Sequence, residues 1–315
     1  MNTYIAAYAI RIRPKIILTF IDNRPEFYEL SSYIPDVYTI LIQNGLRDNF
    51  FDLDYLNDAG KVRKVDFMLM FNARIADYYA NSISGKSVVV GSIRNNSVKK
   101  TLMKSRNTVV YISIGIESRP KSNNYIETNC GEKVLYDDLI RSDEVLFKYA
   151  LSWCAQHKYQ LIVCGKNQEP SGEFDFFRRL CEPGLEFEFV PWSSALGSYE
   201  LVDHAFMAIG TDSTLCYESL ARGNRTVFFH CRSEKFKVQQ PFGWPGVLPE
   251  SGPFWTNSRS EAEFDRVMNS VASATDEEFA KMREPYIDDL MVWDPDNRKA
   301  KALINSILDT NRLAI

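Results

Sequence analysis

Residues 209–218, Ile209-Gly-Thr-Asp-Ser-Thr-Leu-Cys-Tyr-Glu218, decide the fold predicted for this chain. The apolar run that ends at Gly210 is typical of a buried strand, and a helical pattern starts at Leu215 and stops at Gly223. Four residues that favour a helix N-cap stand between them: Thr211, Asp212, Ser213 and Thr214. Another strand-like run follows at 226–229, so the segment is predicted to form a strand-turn-helix-turn-strand unit.

The turn at 210–214 has the chemistry of an anion site. The first turn of a helix leaves backbone N–H groups without partners inside the helix, and these groups can bind a phosphate. Glu218 follows one helical turn after Thr214 on the same side, where its carboxylate could bind the hydroxyls of a ribose. The same residues also suit an ordinary strand-to-helix turn, so the prediction depends on polar residues elsewhere in the chain.

Polar residues also follow the strands predicted for the first half of the chain. Four apolar runs separated by helical patterns predict a parallel, doubly wound sheet: 15–21, 37–42, 65–70 and 87–90. Open parallel sheets bind ligands at the carboxyl ends of their strands. We therefore predict substrate contacts from six residues that follow these strands: Asn23, Asn44, Gly45, Arg47, Arg94 and Asn95.

The second half repeats the strand and helix alternation, with Lys166 at the tip of its second strand as a further candidate for the nucleotide site. Residues 119–133 are polar and are expected to form a loop over a cleft. Residues 241–255 are dense in Gly, Pro and Trp, which predicts a rigid loop carrying Trp244 at the cleft mouth. The predicted domains are an acceptor-side domain, a nucleotide-sugar domain and a closing helix that returns to the first domain: 1–104, 105–285 and 286–315.

Composition narrows the function classes. The chain has 315 residues, a net charge of −4 and no block of like charge, so nucleic acid is not an expected partner. No apolar run approaches the roughly 20 residues that cross a bilayer, so we expect a cytoplasmic protein, with peripheral association at the inner face of the membrane left open. The six cysteines and three histidines show no metal-ligand spacing, and dinucleotide and P-loop fingerprints are absent from the sequence. Neither a metal nor a cofactor is predicted.

Two doubly wound domains, with the hydroxyl turn late in the second and a terminal helix crossing back, resemble the GT-B glycosyltransferases of bacterial surface-carbohydrate biosynthesis. Ser213-Thr214 and Pro241-Phe-Gly-Trp244 are similar to the phosphate-binding turn and the later loop of capsule and lipopolysaccharide transferases that use CMP-Kdo. The resemblance implies two facing Rossmann-like domains, a nucleotide-sugar donor that is CMP-linked, and a glycan or lipid-linked glycan acceptor. Those transferases carry an aspartate where the nearest carboxylate here is Glu117, and a His-Pro pair where this chain has Gly165-Lys166.

Glycosyl transfer also requires a carboxylate at the reacting carbon, and the candidates are Glu117 and Asp22. Helix N–H groups together with Ser213 and Thr214 could stabilise the leaving phosphate without a metal. Two alternatives share the fold: an epimerase or polyol-phosphate transferase, and a non-catalytic module that binds glycan or nucleotide. The sequence does not decide between retention and inversion at the anomeric carbon, and it does not identify the donor sugar.

Overall fold

The computed structural model describes residues 2–21, 25–46, 63–101, 105, 107–115, 125–127, 133–231 and 241–309. The chain forms two compact units. Unit 1 comprises Met1–Lys99 and Asp288–Ile315, and unit 2 comprises Lys100–Ile287. Both units contain parallel sheets flanked by helices, so the predicted α/β fold class is confirmed.

Unit 1 is built on a four-stranded parallel sheet in the order β1-β2-β3-β4. Its strands are β1 (Ile16–Thr19), β2 (Tyr38–Ile42), β3 (Arg63–Met70) and β4 (Ile83–Val89). Its helices are α1 (Asn2–Ile12), α2 (Pro25–Tyr33), α3 (Ala73–Ala80), α4 (Ile93–Ser97) and the C-terminal α11 (Arg298–Asp309), which follows a 3-10 turn at Pro295–Asn297. Because the strands consist mainly of apolar residues, the central pair is buried on both faces, as expected for a parallel sheet.

The end of the chain completes the core of unit 1. Ala300 and Ile307 of α11 pack with Ile40 and Leu69 of the sheet. The backbone before α11 is also attached to the sheet, since Val292 donates its N–H to the carbonyl oxygen of Phe71 at 3.0 Å. The predicted crossing of the terminal helix back to the first half is therefore confirmed.

Unit 2 contains a six-stranded parallel sheet with the order β9-β8-β5-β10-β11-β12. Its strands are β5 (Thr108–Ile112), β8 (Gln160–Cys164), β9 (Glu188–Val190), β10 (Met207–Gly210), β11 (Thr226–Phe229) and β12 (Trp255–Thr256). Its helices are α5 (Tyr136–His157), α6 (Glu173–Leu180), α7 (Ala195–His204), α8 (Thr214–Ala221), α9 (Glu261–Ser273) and α10 (Asp276–Leu290), the last of which runs on into unit 1. Counted along the chain, the strand order is that of the dinucleotide-binding Rossmann sheet.

Two segments predicted to be irregular contain strands. Within 119–133, β6 (Tyr125–Glu127) pairs antiparallel with β7 (Lys133–Leu135), and the remaining residues of that segment lie outside the described residues. Within the loop at 241–255, Trp255 begins β12, which pairs with β11 at the edge of the sheet. All three strands are only two or three residues long, so they carry no periodic signal that a sequence pattern could show.

A buried ion pair fixes the amino-terminal edge of the unit 2 sheet. Asp203, at the end of α7, accepts hydrogen bonds from Nε of Arg222 at 2.9 Å, from Nδ2 of Asn224 at 2.8 Å and from the N–H of Thr101 at 3.1 Å. Arg222 and Asp203 are each 1% exposed. Burial raises the pKa of the Asp203 carboxyl, but hydrogen bonds from Arg222 and Asn224 outweigh this effect and hold the pKa below its usual value.

We predict that Arg222→Met lowers the free energy of unfolding by about 3–5 kcal/mol, because it leaves the Asp203 carboxylate buried without its cation. The contribution of Asp203 to stability is present above its unfolded pKa, near pH 4, and is lost as pH falls through the lower folded pKa. Urea denaturation of the wild type and of Arg222→Met should therefore show a difference in the free energy of unfolding that is smaller in acid than at pH 7.

Arg74→Met is the matched control, since Arg74 and Asp289 form an ion pair with both side chains about 40% exposed. Its effect should stay below about 1 kcal/mol. An equal loss of stability in the two variants would contradict the importance assigned to the buried pair.

Candidate functional site

The strand order of unit 2 reverses between β5 and β10. Starting from β5, the next two strands along the chain, β8 and β9, are added at one edge of the sheet. The following strands, β10, β11 and β12, are added on the other side of β5. Connections that leave the two neighbouring strands at such a reversal diverge, and a crevice opens at their carboxyl ends. Ile112 pairs with Gly210 in register, so the segments 113–115 and 211–214 emerge side by side at this crevice.

Gly210 allows α8 to begin directly above the end of β10. A Cβ at this position would lie 2.5 Å from Sγ of Cys216, which is closer than a side chain tolerates. From Cys216 to Ala221, α8 is buried. The glycine is thus required by the close approach of the helix to the strand, and this approach fixes where the helix N-terminus lies.

The first turn of α8 reaches the surface. Thr211 is buried, but the next four residues are half-buried: Asp212, Ser213, Thr214 and Leu215. Ser213 is the N-cap residue, and its side chain makes no capping hydrogen bond within the part of the chain that the structure describes. By contrast, the hydroxyl of Ser194 caps α7 by accepting the N–H of Gly197 at 3.1 Å. The Ser213 hydroxyl is therefore not committed to its helix and can bind a ligand at the crevice.

Glu173 connects the loops beside this turn, and the sequence did not reveal it. The side chain of Glu173 is fully buried at the start of α6. Its carboxylate accepts the hydroxyl of Ser113 and the N–H groups of Lys166 at 3.2 Å and of Asn167 at 3.0 Å. The Ser113 hydroxyl in turn accepts the N–H of Gly115 at 3.1 Å. One carboxylate thereby holds the segments that follow β5 and β8. An acidic residue in a first helical turn is common, so nothing in the sequence distinguished this one.

Lys166 and Asn167 lie directly over Gly115. A Cβ on Gly115 would lie 2.8 Å from Cδ of Lys166 and 3.2 Å from Nδ2 of Asn167. Gly115 also has a φ of 82°, which favours glycine. The Lys166 side chain is exposed, and Nδ2 of Asn167 is a buried donor with no hydrogen-bond partner among the described residues. This loop therefore supplies a cation and an amide next to the switch point.

The loop that carries Trp244 is held firmly at the carboxyl end of β12. Asn257, which directly follows that strand, accepts the N–H of Phe242 through Oδ1 at 3.0 Å. The Phe242 ring stacks on Trp255 with a centroid separation of 5.1 Å. Trp244 itself is half-buried, and its N–H donates to the carbonyl oxygen of Pro241 at 3.2 Å. The loop is thus pinned by a hydrogen bond and a buried aromatic cluster.

The remaining predicted site residues divide into three groups. Four lie outside the described residues: Asp22, Asn23, Arg47 and Glu117. Four belong to unit 1, at the carboxyl ends of β2 and β4, where Asn44 and Arg94 are exposed, Gly45 is half-buried and Asn95 is fully buried. Glu218, in unit 2, is also buried, at 6% exposure. The roles of these residues stay predictions.

The carboxyl edge of the unit 2 sheet contains thiols that are neutral. Burial raises the pKa of Cys164 to about 11 and that of Cys216 well above its usual value, so neither is a thiolate at neutral pH. Among the described residues, no group of three His, Cys, Asp or Glu side chains is arranged to hold a metal ion. Likewise, within the described residues no helix is both long and apolar enough to cross a bilayer.

The sequence contains two Asp-x-Asp pairs, a pattern relevant to metal-dependent transfer. The pair at 52–54 lies outside the described residues. In the pair at 294–296, Asp294 accepts the N–H of Lys299 at 2.8 Å and so stabilises the start of α11. Metal independence therefore stays a prediction.

The parallel sheets, the reversed strand order and the returning terminal helix define an α/β protein of the GT-B type. Three solved structures share the fold, each with 10% sequence identity. A "putative UDP-N-acetylglucosamine 2-epimerase" from Listeria monocytogenes gives a TM-score of 0.58, covering 99% of this chain and 79% of that one. The pneumococcal O-GlcNAc transferase GtfA, solved with UDP and GlcNAc, gives 0.52 with 98% and 60% covered. A glycosyltransferase from Rickettsia africae gives 0.53 with 98% and 81% covered.

The sequence also identifies the family. The family described as "putative O-antigen biosynthesis protein" matches residues 40–308. Because the match covers most of the 315 residues, the chain belongs to that family. No curated protein matches the sequence. The predicted surface-carbohydrate class is thus confirmed, while the link to CMP-Kdo stays a prediction.

We predict that Glu173→Gln lowers the free energy of unfolding by about 1–3 kcal/mol. The substitution replaces one oxygen of the carboxylate by an NH2 group, which would face the backbone N–H groups of the loop instead of accepting hydrogen bonds from them. Asp175→Asn is the control, since Asp175 occupies the same helical turn but is exposed, and its effect should lie within about 0.5 kcal/mol. Urea denaturation measures both. Equal stability of the two variants would show that Glu173 does not hold the loops.

Proposed function

We propose that this protein transfers a glycosyl group from a nucleotide sugar to a surface polysaccharide or lipid-linked glycan in O-antigen biosynthesis. The observation that carries the proposal is the half-buried first turn of α8 at the switch point of unit 2. Membership of the O-antigen family supports the same proposal.

The leaving group of this reaction is a nucleoside phosphate on which negative charge develops. N–H groups at the start of α8 and the hydroxyls of Ser213 and Thr214 would bind that charge, and the helix dipole favours an anion at the same place. Lys166 lies in the neighbouring loop over Gly115, where its ammonium group would pair with the phosphate. These groups belong to a packed scaffold and would need little rearrangement as charge develops.

A carboxylate is still required at the reacting carbon. We assign this role to Glu117 or Asp22, the candidates predicted from the sequence, both of which lie outside the described residues. For the donor, resemblance of Ser213-Thr214 and Pro241–Trp244 to Kdo transferases favours a CMP-linked ulosonic acid such as Kdo. The similar pneumococcal structure was solved with UDP and GlcNAc, so uridine donors belong in the same test.

We predict that Ser213→Ala combined with Thr214→Ala weakens nucleotide binding by about 1–3 kcal/mol, the scale for hydrogen bonds to a charged group. Isothermal titration with CMP and UDP should show a Kd about 5- to 150-fold higher for the nucleotide that the wild type binds. Ser194→Ala provides the control, because the Ser194 hydroxyl is occupied in capping α7. The control should keep the wild-type Kd. An unchanged Kd in the double variant would remove the turn from the site.

A second candidate function is epimerisation of a nucleotide sugar, which the similar Listeria structure supports. Incubation with CMP-Kdo, UDP-GlcNAc and an O-antigen acceptor separates the candidates. We predict release of free nucleotide coupled to acceptor glycosylation, whereas an epimerase would convert the donor without releasing nucleotide. The coupled release should persist with excess EDTA, and its loss would contradict metal independence. Nucleotide binding without either product would identify a non-catalytic module.

A further inference from the structure

The outer face of α1 is apolar and aromatic, although it is the face turned away from the protein. Ala6 and Ala9 are buried, and the helix contacts α2. On the opposite side, Tyr4 is 77% exposed, Tyr8 58% and Ile12 53%. A helix at the surface of a globular protein normally carries polar residues there.

Five of the exposed residues of α1 form one continuous stripe. With about 100° per residue, Arg11, Tyr4, Tyr8, Ile12 and Ile5 fall in that angular order within an arc of about 120°. All five are exposed. The helix therefore has an apolar surface with a guanidinium at one border, and tyrosine side chains combine an apolar ring with a polar tip.

The segment that carries this stripe has charges of one sign. Residues 1–21 include Arg11, Arg13 and Lys15 and no Asp or Glu, although the whole chain has a net charge of −4. The ammonium group of Lys15 donates to the carbonyl oxygen of Leu308 at 2.7 Å, at the end of α11. Arg11 and Arg13 are exposed and lie at the C-terminal end of α1.

We propose that the outer face of α1 docks on an anionic lipid bilayer. An amphipathic helix with aromatic and aliphatic residues on one face and Arg at its border binds at the boundary between headgroups and acyl chains, and anionic lipids attract the cations. A second copy of the chain fits this face less well. A two-fold interface would bring the same patch of each copy together, so two positively charged segments, with no acidic residue within 1–21 to pair their cations, would face each other.

The test is co-sedimentation of the full chain with vesicles of phosphatidylglycerol and phosphatidylcholine, or of phosphatidylcholine alone. Wild-type protein should bind the anionic vesicles and dissociate as salt is raised. Tyr4→Ser with Tyr8→Ser, and separately Arg11→Glu with Arg13→Glu, should each weaken binding at least about tenfold. Val247→Ser and Lys281→Glu alter exposed residues of unit 2 and should leave binding unchanged.

A second measurement does not depend on loss of binding. In a Tyr8→Trp variant, brominated lipids should quench the additional tryptophan fluorescence if the helix face enters the bilayer. Failure of wild-type protein to bind anionic vesicles would overturn the proposal, as would binding that the α1 variants do not change. A dimer that the tyrosine variants dissociate, in the absence of vesicle binding, would assign the face to a second copy instead. No nucleotide sugar is needed, so these outcomes are independent of the proposed function.

Discussion

The structure of the candidate site depends on the close approach of α8 to β10 at Gly210. A side chain there would collide with Cys216, so the glycine lets the helix start at the point where the strand ends. Because β10 is also the strand at which the sheet reverses its order, this start lies beside the segment that leaves β5. The local packing of one glycine therefore sets both the position and the direction of the helix dipole relative to the crevice.

The loops around the crevice are fixed by a different interaction. Glu173 lies below them, fully buried, and its carboxylate accepts hydrogen bonds from the segments that follow β5 and β8. A buried carboxylate is costly unless it is fully hydrogen-bonded, and here two amides and a hydroxyl satisfy it. These hydrogen bonds also hold Lys166 against Gly115. The ammonium group of Lys166, which would face a ligand, is therefore carried by a rigid backbone.

Much of this arrangement could be predicted from local sequence, and the rest could not. The strand ending at Gly210 and the helix after it give clear patterns, since an apolar run and a set of N-cap residues are properties of neighbours in the chain. The hydrogen bond between Ser113 and Glu173 joins residues 60 positions apart, and no short pattern encodes it. The two-residue β12 is likewise defined by pairing with β11 and not by its own composition. The features that could not be predicted from the sequence are therefore those that depend on residues far apart in the chain.

The two ends of α8 are fixed by different chemistry, and this difference bears on how the site would work. At its C-terminal end, the carbonyl oxygen of Leu220 accepts from Arg283, that of Arg222 accepts from Lys100, and the Arg222 guanidinium is paired with Asp203. Cations at a helix C-terminus stabilise the helix dipole. At the N-terminal end, the N-cap side chain Ser213 makes no such bond among the described residues. The orientation of the N–H groups at this end is set by folding, so under the proposed function it need not be established when the phosphate binds.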